Sequence, residues 1–299
     1  ATPLRIQGAN SKAFLGRVTA GEILDTRSHR GIVSYDPTEL VITARCGTPL
    51  AELKQVLDAA QQMLPCEPPA FADDATVGGM IACGLSGPRR PWSGSVRDFV
   101  LGTRVITGLG KHLRFGGEVM KNVAGYDLSR LMAGSYGTLG LITEVSLKVL
   151  PKPRQALSIS LEMNAERALL RLAEWGQQPL PISAACHDGE HLHLRLEGGE
   201  GSVAAAHDRL GGERLDGSYW ADLNEQRLSF FDEDQPLWRL SLPTDTPRLS
   251  LPGRQLIDWG GAQRWLKSDA EASFIRQVVE EAGGHVTCSS HGPRDSPPQ

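Results

Sequence analysis

Apolar positions along the chain follow two periods in turn, and together they predict a mixed α+β architecture. Leu50, Leu53, Val56, Leu57 and Ala60 recur at three- and four-residue spacings, placing them on one face of a helix that runs to about Gln62. Thr48 is expected to cap this helix, with Pro49 as its first residue. Residues 40–43 form a short apolar run of strand type ahead of it. Farther on, residues 105–107 and 112–115 flank the turn Gly108-Leu109-Gly110-Lys111 and predict a hairpin. Residues 139–149 alternate through Leu141, Thr143, Val145, Leu147 and Val149 as another strand, and residues 127–132 predict a short helix.

Pro151-Lys152-Pro153 interrupts the pattern, because proline removes a backbone donor and restricts the residue before it. The domain boundary is therefore placed after residue 150. Beyond it, strands are predicted at 157–161, 182–186, 191–196 and 237–242, and helices at 165–175, 203–210 and 270–282, the last closed by Gly283-Gly284. Such runs predict a second, antiparallel α+β domain over residues 151–288. Residues 289–299, rich in Pro, Ser and charge, are expected to be a disordered tail. No internal sequence repeat is visible.

Composition narrows the function classes. A chain of 299 residues with 40% hydrophobic content can bury a sizeable core. Net charge is −4 and no run of Lys or Arg exceeds two residues, which argues against nucleic acid or an anionic membrane as partner. No stretch approaches the roughly 18 to 20 apolar residues that span a bilayer, so the chain reads as cytoplasmic. Cys46, Cys66, Cys83, Cys186 and Cys288 stand singly, without a C-x-x-C pair, which argues against a disulfide framework or a Cys-ligated cluster.

Three stretches are candidates for chemistry. Gly8-Ala9-Asn10-Ser11-Lys12 follows a strand-like run, where successive backbone N–H groups can converge on an anion such as a pyrophosphate. An exposed turn with one glycine fits the same five residues. Residues 76–87, with Thr76, Gly78, Gly79, Ala82, Ser86 and Gly87, clear a backbone surface almost bare of side chains, which suits a flat, extended ligand. Tight helix-on-strand packing also selects Gly and Ala. Arg89 and Arg90 follow at once, as carboxylate or phosphate anchors or as solvated surface arginines. The third stretch is Lys121-Asn122-Val123-Ala124-Gly125-Tyr126-Asp127, followed by a glycine-rich segment from Gly134 to Gly140. A lysine there would stabilise negative charge on a reduced ring, and a merely solvated Lys121 fits equally. His187, His191 and His193 invite a metal reading, but alternation sets His191 and His193 on the polar face of a strand, so no metal site is assigned.

In this order and spacing, the three stretches resemble the FAD-binding domain of the vanillyl-alcohol-oxidase type. The run from Gln7 to Arg17, the run from Asp36 to Pro69 and the run from Gly87 to Pro151 are similar to the E-subunit family of glycolate oxidase, a similarity that continues through residues 251–267. The resemblance implies a two-subdomain FAD-binding domain followed by an antiparallel α+β, ferredoxin-like cap. It implies that Gly8, Ala9, Asn10, Ser11 and Lys12 cradle the pyrophosphate, that residues 76–87 line the ribityl chain and flavin with Lys121 and Asn122, and that Ile142 approaches the adenine. Members with covalent flavin carry a histidine in these loops; residues 8–12 have none, so noncovalent FAD is expected.

The family oxidises glycolate, a small 2-hydroxy acid, to glyoxylate in a complex of FAD-binding D and E subunits with an iron–sulfur F subunit, peripheral at the inner membrane. The histidine-rich H-x-G-D-G-N-x-H type motif of the D subunit and D-lactate dehydrogenases is not found here, which favours a role in electron transfer and assembly over independent oxidation. A self-sufficient 2-hydroxy-acid dehydrogenase and an assembly subunit with a decayed flavin site remain alternatives. The family's strand and helix upstream of Ala1, and its closing N-P-G segment, are not in the sequence, so the FAD domain is expected to lack its N-terminal part.

Overall fold

The computed structural model of the chain describes residues 2–16, 19–117, 126–232 and 234–289. The chain divides into two units, Ala1–Lys152 and Pro153–Gln299.

In the first unit, β1 (Leu4–Gln7) and β2 (Glu22–Asp25) form a small parallel pair. There follow β3 (Ile32–Asp36), β4 (Val41–Arg45), α1 (Leu50–Ala59), β5 (Gln62–Met63), α2 (Val77–Cys83), α3 (Arg90–Ser93), β6 (Val100–Ile106), β7 (His112–Gly116), α4 (Leu128–Leu131), β8 (Leu141–Lys148) and β9 (Leu150–Pro151). Five of the strands form an antiparallel sheet in the order β3-β4-β8-β6-β7.

Ile42, Ala44, Val105, Val145 and Leu147 of this sheet share one core with Leu50, Leu53 and Leu57 of α1 and Val77, Met80 and Ile81 of α2. Each large apolar side chain buried there contributes about 1.5 to 3 kcal/mol, so the helical stripe of α1 is a packing feature and not a functional one. Thr43 and Ser146 are paired across β4 and β8, with their hydroxyl oxygens 2.8 Å apart.

One local expectation fails. Thr48 does not cap α1: its hydroxyl donates to Arg45 O at 2.6 Å and accepts from Gly31 N at 2.9 Å. Pro49 takes the cap position, and the Leu50 amide is satisfied by Ala75 O at 2.6 Å. A partner from the segment before α2 replaced the local side chain.

The second unit begins with β10 (Gln155–Glu162), α5 (Ala165–Trp175), β11 (Ile182–His187), β12 (His191–Gly198), α6 (Glu200–Leu210) and β13 (Glu213–Leu215). Their sheet order, β13-β10-β12-β11, antiparallel throughout, is the ferredoxin-like βαββαβ arrangement. After α7 (Tyr219–Asn224) come β14 (Leu237–Ser241), β15 (Arg254–Asp258), β16 (Gln263–Lys267), α8 (Ala272–Glu281) and β17 (His285–Cys288). These strands lie in the order β15-β16-β14-β17, which repeats the first arrangement. The copies join where Cys186 and His187 pair with Asp258 and Ile257, giving one eight-stranded sheet.

This is a duplication of topology invisible in the residues. In the second copy the crossover between β14 and β15 contains no helix. Arg264, fully buried, holds that crossover by donating to Pro247 O at 2.7 Å, to Thr246 O, and to Gly261 O at 3.2 Å.

The two faces of β12 are both covered. Leu192, Leu194 and Leu196 face the core under α5 and α6 as alternation requires. The opposite face is polar, as the alternation predicts, and it is covered: His193 is 5% and Arg195 8% exposed. Residues of α7 lie on it, with the Tyr219 ring 4.5 Å from His193 and Trp220 5.5 Å from the Arg195 guanidinium. Strand periodicity reports that two faces differ in polarity, but not whether a later helix covers the polar one. Ser289, placed in the expected tail, donates its amide to Leu237 O at 2.6 Å; the rest of that tail, residues 290–299, lies outside the described residues.

Candidate functional site

The site is built around α2. Thr76 caps this helix, its hydroxyl accepting from Gly79 N at 3.1 Å. Val77, Met80 and Ile81 turn into the core, which leaves Gly79, Ala82, Cys83 and Ser86 along a half-exposed face of small side chains. Gly8 brings the turn after β1 against the start of the helix, because a Cβ on Gly8 would stand 2.4 Å from Thr76 Oγ1.

The amides of that turn are open. Asn10 adopts φ of 60°, a left-handed conformation Asn tolerates. Among the described residues, none accepts a hydrogen bond from the backbone N–H of Gly8, Ala9, Asn10 or Ser11. Gly8, Ala9 and Ser11 are half-buried and Asn10 is exposed, and several unmatched backbone donors close together favour an anion. Lys12 adds the charge. It is 9% exposed, donates to Ala70 O at 3.0 Å and lies 5.5 Å from the Phe71 ring centre. Burial raises the pKa of the Cys83 thiol, and the Lys12 ammonium pulls it down.

Not every residue singled out from the sequence serves this surface. Gly78 is a packing glycine: its amide donates to Cys46 O at 2.7 Å, and a Cβ there would meet Cys46 Cβ at 2.7 Å. The Gly87 amide is held by Cys66 O at 2.9 Å, and Ser86 Oγ accepts from Val96 N at 3.0 Å. Ile142, 6% exposed, has its side chain in the sheet core. Arg89 is engaged within the protein, its amide and Nε donating to the Glu67 carboxylate at 3.0 and 3.3 Å. Lys121 and Asn122 lie outside the described residues.

Gly134 and Tyr136 close the other end of α2, donating to Ile81 O at 3.0 Å and Ala82 O at 2.9 Å. The segment that sequence reasoning missed is 67–71. It supplies Ala70 O to Lys12 and sets Phe71 edge-on to Phe14, with ring centres 5.6 Å apart. Positive φ at Glu67 and Phe71 marks a tight path there, and Pro68-Pro69 was its only trace in the sequence. Among the described residues, no group of three or more His, Cys, Asp or Glu is placed to hold a metal ion, and no helix is long and apolar enough to cross a membrane.

The FAD binding domain family matches residues 1–116. A solved alkyldihydroxyacetonephosphate synthase superposes on 94% of this chain and 66% of its own with a TM-score of 0.67; at 17% identity this shows the shared fold. The family match defines a chain with an FAD-binding domain, in a fold shared with that synthase. Glycolate oxidase subunit GlcE of Escherichia coli strain K12 is 65% identical over 97% of this chain and 83% of its own, and the chain belongs to that E-subunit family. D-lactate dehydrogenase of Anaerostipes hadrus is 35% identical over 52% of this chain, and glycolate oxidase subunit GlcD of Bacillus subtilis is 35% identical over 44%. The matches span 33% and 28% of those two proteins.

The open amides of residues 8–11 and the small face of α2 fit FAD, whose diphosphate needs donors and whose ring needs an uncluttered surface.

Proposed function

We propose that the chain is an FAD-holding subunit of glycolate oxidase. It supports electron transfer and assembly in the oxidation of glycolate to glyoxylate, beside a D subunit that binds FAD and an F subunit that carries iron–sulfur clusters, peripheral at the inner membrane through its partners. The observation that carries this reading is the meeting of four unmatched amides with the small-residue face of α2 at the Gly8–Thr76 contact.

In this reading the amides of Gly8, Ala9, Asn10 and Ser11 bind the diphosphate and Lys12 offsets its charge. Gly79, Ala82 and Ser86 leave room for the ring, while Thr76, Gly78 and Gly87 hold the backbone in shape. Lys121 and Asn122 serve the pyrimidine edge, and Ile142 serves the adenine side through its backbone. Residues 1–150 form the FAD domain and 151–288 the cap. Bound FAD would supply the capacity to take up electrons and to release them to a second centre.

Engagement of Arg89 by Glu67 supports a relay over a self-sufficient dehydrogenase, since Arg89 was one of the two candidate anchors, with Arg90, for a substrate carboxylate. The test is anaerobic addition of glycolate to the purified chain and to the assembled complex. The isolated chain should be yellow and keep its colour, while the complex bleaches. A colourless chain at full occupancy of its partners would overturn the reading, and bleaching of the isolated chain would move the chemistry onto it.

A further inference from the structure

Strand register places four charged residues in one row across the five-stranded sheet of the first unit. Arg45 of β4 lies opposite Glu144 of β8, Glu144 opposite Arg104 of β6, and Arg104 opposite Arg114 of β7. Their chain neighbours Ala44, Val145, Val105 and Phe115 turn into the core with α1 and α2, so alternation sends all four to the other face. On a chain of net charge −4, this row holds three arginines and one glutamate.

Glu144 is committed to Arg104, with Oε1 2.8 Å from Arg104 Nε, on the side of Arg104 away from β7. Two strand spacings, about 10 Å, separate it from the position of Arg114. Among the described residues no carboxylate is paired with Arg114, which is exposed on the edge strand and directly opposite a second arginine. Like charges so placed destabilise a sheet, and an anion shared between them relieves the repulsion. Arg104 and Arg114 wall a cavity of about 70 Å³ with Gly102, Thr43 and Ser146 beside them. The Thr43 and Ser146 hydroxyls bond each other at 2.8 Å, and whichever accepts keeps its own proton to donate. The volume is far below the roughly 300 Å³ at which ligand pockets begin, and it suits a single carboxylate group.

We propose that this face of the sheet docks an acidic segment of another polypeptide, one Asp or Glu carboxylate entering the cavity between Arg104 and Arg114. A basic or neutral segment leaves the arginine pair unmatched. A second copy docking symmetrically through the same patch sets one arginine row on the other. The proposal stands on the outer face of the sheet and does not depend on the reading given for the flavin surface.

The experiment is titration of a rhodamine-labelled hexaglutamate peptide with the purified full chain at low salt, read by anisotropy. Binding should saturate with a Kd of about 0.1 mM or tighter, weaken as salt is raised, and be at least about tenfold weaker for a hexaglutamine peptide. Arg114→Gln should weaken hexaglutamate about tenfold, Arg114→Glu should abolish binding, and Arg114→Lys should keep part of it. Arg167→Gln, the same loss of charge on α5, should bind as the parent does. The melting transition of Arg114→Gln should be unchanged or higher, since the substitution removes a repulsion and no described partner. The proposal is overturned by absence of hexaglutamate binding, by equal binding of hexaglutamine, or by an Arg114→Gln protein that binds as well as Arg167→Gln. Complete displacement by inorganic phosphate at matched ionic strength would overturn it in favour of a free anion, and a dimer that Arg114→Glu dissociates in favour of a second copy.

Discussion

Gly8 and Thr76 touch at a point where no side chain fits: a methyl on Gly8 would stand 2.4 Å from the Thr76 hydroxyl oxygen that caps α2. The contact joins two stretches 68 residues apart in number, 8 and 76, and makes one surface of the turn after β1 and the small face of α2.

Gly8→Ala should therefore separate the two. The hydroxyl is committed to the Gly79 amide and cannot swing away without uncapping the helix, which costs about 1 kcal/mol. The expected outcome is a fall in FAD affinity of about tenfold or more with a small change in thermal stability. Titration of flavin-stripped protein with FAD, followed by quenching of flavin fluorescence, checks it.

Lys12→Met should weaken FAD binding and flatten its dependence on salt. The ammonium is the one charge in the pentapeptide 8–12, and its attraction for a diphosphate is the part of binding at this turn that salt screens. Affinity should drop about tenfold, the worth of a charge-assisted hydrogen bond. An unchanged salt slope would place Lys12 outside the diphosphate site.

FAD is expected to be noncovalent, because residues 8–12 contain no histidine and Cys83 on the small face of α2 has its thiol pKa raised by burial, which holds it in the unreactive protonated form. Denaturation followed by ultrafiltration should leave the yellow colour in the filtrate and the protein colourless.

Asp188 and His193 set the acid limb of stability in the second unit. Burial raises the Asp188 pKa, but the hydrogen bond from His193 at 2.9 Å and the amides of His191 and Glu190 outweigh it and hold the carboxyl well below the usual range. A carboxyl with a depressed folded pKa contributes stability that is present above its unfolded pKa, near 3.9, and lost as pH falls through the folded value. The partly exposed carboxylate limits the effect to about 1 kcal/mol. Asp188→Asn should lower stability at pH 7 by that amount and flatten the loss below about pH 4, as read by denaturant titrations across pH.

Arg264→Met should destabilise the second unit by about 3 kcal/mol or more, since it leaves the carbonyls of Thr246, Pro247 and Gly261 without their donor. Burial lowers the guanidinium pKa to about 10, so the charge is present at pH 7. Calorimetry should show the loss as a lower melting transition with little change in flavin content.

Much of the architecture was legible in the residues. The stripe of α1, the hairpin of β6 and β7, and the helices α5 and α8 follow from spacing alone, because a buried apolar face must repeat at the period of its own backbone. The glycine-bearing stretches 8–12 and 76–87 were legible as candidates, but their two readings were not separable. Gly78 turned out to serve packing and Gly79 the open face, a difference made by Cys46, which comes from a distant strand end.

By itself, then, the sequence determined the periods, the placement of the candidate loops along the chain and the absence of paired cysteines, all properties of neighbours in a line. Tertiary structure alone decided which amides were already spoken for, that Arg89 meets Glu67, that α7 covers the polar face of β12, and that one ferredoxin-like arrangement occurs twice. The physical reason is that hydrophobic burial is written into local pattern, whereas the partner of a hydrogen bond or an ion pair is chosen by whichever remote segment the folded chain brings within reach.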